Sequence, residues 1–310
     1  MSQFFTASVL IATVANGIVL ATPFLLASLG EMVGQRSGVL NLGVDGIMLL
    51  GAFAAYLVVL HTHNLWLGVL VGAAVGIGMG LITAFVSVTL KAEQGISGIG
   101  VYLFGLGLSD LLFQKFVGTP TPIQQLSTVK VPLLAHIPTV GKMFFQANLM
   151  VYFALLLVPV LAFVLNRTTY GMNVKAVGET PAAADSLGVS VTRIRYSTVI
   201  FGSMMAGIAG ASLALIYGVF QSNLTQGEGF IAVALVYFGA WRPTGVLAGS
   251  LLYGLVYAVV LSWKTLGIIP GSASDLANTA PAILTVIALV IVARRVRQPA
   301  ALAKPFIRGG

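Results

Sequence analysis

Nine apolar runs alternate with short polar segments along this 310-residue chain. They cover roughly 5–29, 38–60, 65–90, 96–117, 149–165, 196–219, 229–240, 244–263 and 279–293. About 20 apolar residues cross a bilayer core. The pattern therefore predicts an all-α, polytopic transmembrane helix bundle of about 8–10 spans, forming one domain over residues 1–310. The seventh and ninth runs are short, and the seventh also reads as a half-helix or re-entrant segment.

Between the fifth and sixth runs lies a polar island, about 166–195, that carries its own helix signals. Thr180 suits an N-cap and Pro181 the first helical position. Residues 182–187 propagate, and Gly188 can close the end in a left-handed turn. Arg167, Lys175, Arg193 and Arg195 flank this short helix. The segment reads either as a docking knob for a water-soluble partner or as an ordinary connecting loop.

Composition agrees with the pattern. Hydrophobic residues make up 58% and charged residues only 8%, with a mean hydropathy of +1.00; a soluble domain carries about 25% charged residues. The net charge of +8 does not point to nucleic acid, because the basic residues sit in the gaps between runs and in the tail, as cytoplasmic loops require. The tail, 294–310, holds Arg294, Arg295, Arg297, Lys304 and Arg308. Tail and island should share the cytoplasmic side, with four crossings between them. Five crossings precede the island, which puts the N-terminus outside. The opening residues lack the basic start of a secretory signal, so the first helix is expected to be retained. Lys115, Lys130 and Lys142 are exceptions to the charge rule. They belong to a longer outer loop, about 118–148, whose prolines at 120, 122, 132 and 138 predict order without long helices.

Enzyme chemistry finds little support. There are no cysteines. His61 and His63 have no nearby carboxylate, no nucleophile-elbow pattern occurs, and Gly141-Lys142 lacks the rest of a Walker A loop. Ionisable groups inside spans are costly and usually functional. Asp45 stands out as the one deep acid. It follows Asn41 by four residues, which on a helix puts both on one face near Ser37 and Gly38. That face reads as a polar translocation path or as an interhelical contact, with Gln94 at a neighbouring span entrance. Asp110 and Glu228 read as solvated span ends. Gly72, Gly76 and Gly80 repeat every four residues, as close helix packing in lipid demands. A short internal echo links Arg36-Ser37-Gly38-Val39-Leu40 with Arg242-Pro243-Thr244-Gly245-Val246-Leu247.

Three segments carry a family resemblance: Leu29-Gly30-Glu31-Met32-Val33-Gly34-Gln35-Arg36 continuing to Met48, Val177-Gly178-Glu179-Thr180-Pro181 continuing to Val189, and Phe238-Gly239-Ala240-Trp241-Arg242-Pro243-Thr244-Gly245. Over about 20–295 the chain resembles the permease subunits of ABC importers for simple sugars, branched-chain amino acids and nucleosides. It is most similar to the nucleoside branch that works with basic-membrane-lipoprotein-type binding proteins. The resemblance implies that Gly178, Glu179, Pro181, Ala183, Asp185 and Gly188 form the element that docks on the ATPase, with Arg167, Lys175, Arg193 and Arg195 free to pair with acids at its rim or with anionic lipid. It also implies an ABC ATPase subunit that carries ATP and Mg, a second permease (a paralogue or an identical copy), an extracytoplasmic substrate-binding protein, and a place in the bacterial cytoplasmic (inner) membrane. The chain itself would bind no cofactor and would not be an enzyme.

The leading expectation is therefore alternating access for a nucleoside or related small polar solute, along a path that includes Asn41, Asp45 and Gln94. A simple sugar or branched-chain amino acid is the alternative cargo. An ion-coupled secondary transporter, with Asp45 as its coupling acid, and a non-transporting scaffold are the competing classes.

Overall fold

Among the described residues, seven helices are long and apolar enough to cross a membrane. They are α1 (Ala7–Arg36), α2 (Val44–Thr62), α3 (Leu65–Ala84, continued by a π-helical turn over Phe85–Thr89), α4 (Gln94–Phe116), α6 (Leu149–Arg167), α9 (Val191–Tyr217) and α11 (Pro243–Thr265). The computed structural model describes residues 6–130, 132, 140–270, 276–277, 279–293 and 297–308. Between these spans lie the short helices α5 (Val140–Phe144), α7 (Thr169–Glu179), α8 (Pro181–Ser186) and α10 (Glu228–Phe238), and α12 (Ala280–Ala293) follows α11. Strands β1 (Thr128–Lys130) and β2 (Gln146–Asn148) pair antiparallel, with Val129 opposite Ala147.

Helix α9 is the hub, packed on α1, α2 and α3. Small residues let the backbones meet. A Cβ on Gly72 would lie 2.8 Å from that of Ala211, one on Gly80 2.8 Å from that of Ser203, and one on Gly51 2.6 Å from the Gly207 carbonyl oxygen. The glycine stripe on α3 thus serves close packing, the arrangement that holds bundles together where lipid removes any hydrophobic drive between helices. By contrast α3, α4 and α6 turn rows of large apolar side chains outward, among them Leu70, Ile96, Leu103, Leu156 and Phe163.

The bundle has two distinct ends. At the island end, Arg36 donates from Nε and Nη2 to the Trp241 carbonyl (2.9 and 2.7 Å), and Leu40 N donates to Gln94 Oε1. At the far end, Ile123 N donates to Gly218 O (2.8 Å), Leu126 N to Leu215 O, and the Tyr56 hydroxyl to Thr121 O. The described part of the 118–148 loop holds only the ribbon and the five-residue α5, as its prolines predict.

One boundary differs from expectation. Helix α1 runs on to Arg36, and 37–43 is a turn segment with Gly38 at φ 90°, so α2 begins only at Val44. The seventh apolar run is the half-helix that its short length allowed: α9 ends at Gly218 at the far end, 219–227 is irregular, and α10 covers 11 residues before closing at Gly239 near the island end. At about 1.5 Å per residue α10 is about 16 Å long, half a bilayer core. The chain therefore returns across the bundle along a path that is helical only in its second half.

Candidate functional site

The island folds into two consecutive helices. Thr168 opens α7 by accepting a hydrogen bond from Gly171 N. Helix α8 starts at Pro181 as its sequence predicts, although the Thr180 side chain makes no cap bond. It closes with Gly188 at φ 86°, Gly188 N donating to Asp185 O and Val189 N to Ala184 O. That pair of bonds is a Schellman close, which satisfies the last carbonyls and favours glycine at the left-handed position. Lys175 donates to Asn166 Oδ1 at 2.7 Å. Its partial burial, and then the nearby Arg36 charge, pull its pKa below the ordinary lysine value.

The six coupling candidates divide into two sets. Glu179, Ala183 and Gly188 are exposed and Pro181 half-buried, beside exposed Ala182, Ser186 and Leu187, the last 83% exposed. Together they make a small knob, apolar through Pro181, Ala182, Ala183 and Leu187, with Glu179 at its edge accepting from Ala300 N. Gly178 and Asp185 face the protein instead. A Cβ on Gly178 would collide with the Arg36 carbonyl, so only glycine lets α7 sit on the end of α1. Asp185 accepts from Arg308 Nε at 2.8 Å.

That ion pair belongs to a strap. Residues 297–308 fold back over the island, with Ala301 N donating to Gly178 O (2.9 Å) and Ala303 N to Gly38 O (3.1 Å). Arg195 lies beneath, 1% exposed, donating from Nε to Ser37 O and from Nη1 to Lys304 O. Its expected role with rim acids or lipid is therefore overturned: in the first turns of α9 it points into the junction of the 37–43 turn with the strap. A cavity of about 210 Å³ lies alongside, between Asp185, Arg195 and Arg308.

Asn41, Asp45 and Gln94 are all buried. Asn41 and Asp45 do not share a helix face, because Asn41 precedes α2 and its Oδ1 accepts from Gly43 N at 2.9 Å. Asp45 instead reaches across to the half-helix. Its Oδ1 accepts from Gly229 N (2.7 Å) and its Oδ2 from Thr225 Oγ1 (3.0 Å). A carboxylate there satisfies an orphan N–H and complements the positive end of α10. Gly229 permits it, since any Cβ would strike the Asp45 backbone. Gln94 holds Leu40 N through Oε1 while its Nε2 is buried without a partner.

Asp45 is not the one deep acid. Glu31, 2% exposed, accepts from Gln35 Nε2 (2.9 Å) and Asn41 N (3.0 Å), and Gln35 Oε1 in turn accepts from Trp241 Nε1 (2.8 Å). The spacing of Glu31 and Gln35 by four was a usable signal for this pair; the partners Asn41 and Trp241 had none. Glu228 was expected to be solvated, yet its Oε2 is buried without a partner. Asp110 is half-buried and accepts from Ser222 and from Gln114 Nε2. Arg36 of the internal echo binds Trp241, the residue before the second segment, but Arg242 immediately precedes its helix whereas Arg36 ends one. Among the described residues no cluster of three or more acidic, histidine or cysteine side chains could hold a metal ion.

The family model for "Branched-chain amino acid transport system / permease component" matches residues 13–294. The chain is 42% identical to a putative glucose ABC transporter permease protein, TsgC13, of Haloferax volcanii over 85% of this chain and 80% of that one. It is 33% identical to the nucleoside ABC transporter permease protein NupC of Lactococcus lactis, covering 95% of this chain and 96% of that one. It is 32% identical to the guanosine ABC transporter permease protein NupQ of Bacillus subtilis, covering 94% and 95%. No solved structure matches the chain. A buried-glycine bundle, a capped knob between spans and a family match over nearly the whole length converge: this chain belongs to the branched-chain amino acid transport system / permease component family, and it is a membrane-spanning permease of an ABC importer.

Proposed function

We propose that this chain is one of two permease subunits importing a nucleoside or a related small polar solute by alternating access. The second permease is a paralogue or an identical copy, and an extracytoplasmic binding protein delivers the cargo. ATP and Mg act on a separate ATPase that docks on α8. The island end is the cytoplasmic face of a bacterial inner membrane, with the start of α1 outside, following the distribution of Lys and Arg. The knob is the observation that carries this reading. Its outer face is small and apolar, while its inner face is wedged on α1 by Gly178 and tied down by the strap, so force on α8 reaches the bundle without slack.

Asn41, Asp45 and Gln94 hold the junction of the 37–43 turn, α4 and α10. Opening a path there exchanges their bonds, and the spare Gln94 Nε2 supplies one donor for that exchange. The nucleoside assignment rests on similarity to NupC and NupQ; TsgC13 makes a sugar the second cargo class.

Leu187→Asp and Ala183→Trp test the docking assignment. Both residues are exposed, so insertion should persist while the amount of ATPase that co-purifies falls at least tenfold and ATP-driven uptake falls with it. Full ATPase recovery with both variants would remove α8 from the docking surface.

A further inference from the structure

The irregular segment 219–227 is the least expected backbone in the bundle. It lies between the far-end terminus of α9 and the start of half-helix α10, inside the membrane-spanning body. Asn223 (φ 55°), Gln226 (φ 46°) and Gly227 (φ 88°) adopt left-handed conformations. Non-helical backbone at membrane depth is tolerated where it lines a cavity or is buried in protein, and strained positions of this kind cluster at ligand sites. A cavity of about 360 Å³ does open here, within the about 300–1,000 Å³ typical of small-molecule sites.

Its polar lining is Tyr217 from α9, Gln221 and Gln226 from the irregular segment, Glu228 at the head of α10, and Tyr257 from α11. Two separate stretches of chain, 217–228 and α11, thus converge on one space. Glu228 Oε2 is buried there with no hydrogen-bond partner. A buried carboxylate oxygen left unpaired costs free energy unless something donates to it.

The chemistry of the lining selects the ligand. Among the described residues, no Lys, Arg or His lines the cavity. The other source of positive potential, the N-terminus of α10, is already occupied by Asp45 through Gly229 N. A carboxylate or phosphate would therefore find no counter-charge, which disfavours a free amino acid. A carboxylate, two amides and two phenols offer many acceptors and swivelling donors close together. That set suits adjacent hydroxyls on a neutral ring, and the tyrosine faces suit the ring itself.

We propose that this cavity is a transit site for the hydroxyl-bearing sugar ring of a neutral solute, with Glu228 accepting from a ring hydroxyl and Gln221 fixing its neighbour. The proposal rests on the importer reading above. Ribose of a nucleoside and a free sugar share this chemistry, and the test separates them.

The transporter, purified with its partner subunits and binding protein, is placed in proteoliposomes. ATP-driven uptake is measured for guanosine against 2′,3′-dideoxyguanosine, for glucose against 2-deoxyglucose, and for leucine. Each pair is repeated with Glu228→Ala and Gln221→Ala. Gln221 is exposed, so its variant should assemble even if the other does not. Selection by the binding protein is common to wild type and variant and cancels in the ratio of preferences. One lost hydrogen bond to a charged group is worth about tenfold in affinity. The expected result is a KM about tenfold higher for the hydroxylated solute, with its advantage over the deoxy analogue reduced by a similar factor. Uptake of guanosine identifies the sugar as part of a nucleoside; uptake of glucose identifies a free sugar. A wild-type KM and preference in any variant that assembles overturns the site. Uptake of leucine alone overturns the site and leaves the importer reading intact. No ATP-driven uptake of any of these overturns both.

Discussion

Removing the Asp45 carboxylate should loosen the broken half of the seventh crossing. In the structure that carboxylate accepts from Gly229 N at 2.7 Å and from Thr225 Oγ1 at 3.0 Å, in a fully buried setting. Hydrogen bonds to charged groups are worth about 1.5–3 kcal/mol each, and a buried donor left without its acceptor carries a similar penalty. Thr225 can turn to another acceptor, but Gly229 N cannot. Asp45→Ala should therefore destabilise the 219–229 region by about 3 kcal/mol, or about a hundredfold in its open population. Asp45→Asn keeps one oxygen for Gly229 N, and its amide can donate to the Thr225 oxygen, so it should cost about 1 kcal/mol.

The chain has no cysteines, so a single reporter thiol is free of background. Leu224 is 6% exposed at the centre of the segment and lines the cavity of about 360 Å³, so N-ethylmaleimide would label Leu224→Cys slowly in the closed segment and faster when it opens. With reclosing faster than labelling, the rate tracks the open population. Labelling should accelerate about a hundredfold with Asp45→Ala and about fivefold with Asp45→Asn. Equal, unaccelerated labelling in both, together with complete loss of uptake in both, would refute the capping argument and favour a coupling acid whose charge itself is needed.

Gly76→Leu should sharply reduce the amount of folded chain, because any Cβ there meets the Ser203 backbone, whereas Gly78→Leu should be neutral because nothing lies within 4 Å; monodisperse yield after detergent extraction compares them. Glu93 caps α4 by accepting from Gly95 N and Ile96 N, and those bonds hold its carboxyl below the ordinary range. Its stabilising contribution is complete above the unfolded carboxylate value of about 4.3 and is lost as the pH falls through the lower folded value. Glu93→Gln should therefore flatten the acid limb of a melting-temperature profile and leave less difference between pH 6 and pH 3.

Much of this architecture was legible in the sequence, because lipid demands long apolar runs and the polar gaps between them carry cap and turn residues. The knob is the clearest instance: Pro181 and Gly188 mark the start and stop of α8 by local chemistry alone. Asp45 shows the limit. Its spacing from Asn41 suggested a shared face, but Gly38 and the turn after it interrupt the helix, and the true partner, Gly229, is 184 residues away. Periodicity carries no information about such a contact. Arg195 misleads for a related reason. An arginine at a span entrance usually faces water or headgroups, and only the strap, formed much later in the chain, covers it. The polar run Gln221-Ser222-Asn223-Leu224-Thr225-Gln226-Gly227 between two apolar stretches was a usable sign of a broken crossing. Which side chains would converge there depended on α11, which no local pattern joins to it.

The strap also sets a schedule for making the transporter. Asp185 and Arg308 are separated by 123 positions, so at about 5–20 residues per second the ribosome needs about 6–25 s to supply the second partner after the first. During that interval Arg195 and the carbonyls of Gly38 and Gly178 wait without the backbone that later satisfies them. On the docking proposed above, the island face is thus finished only after α12 has been synthesised. An ATPase docking there, as proposed, would meet the completed strap only on a chain whose described spans have all been made.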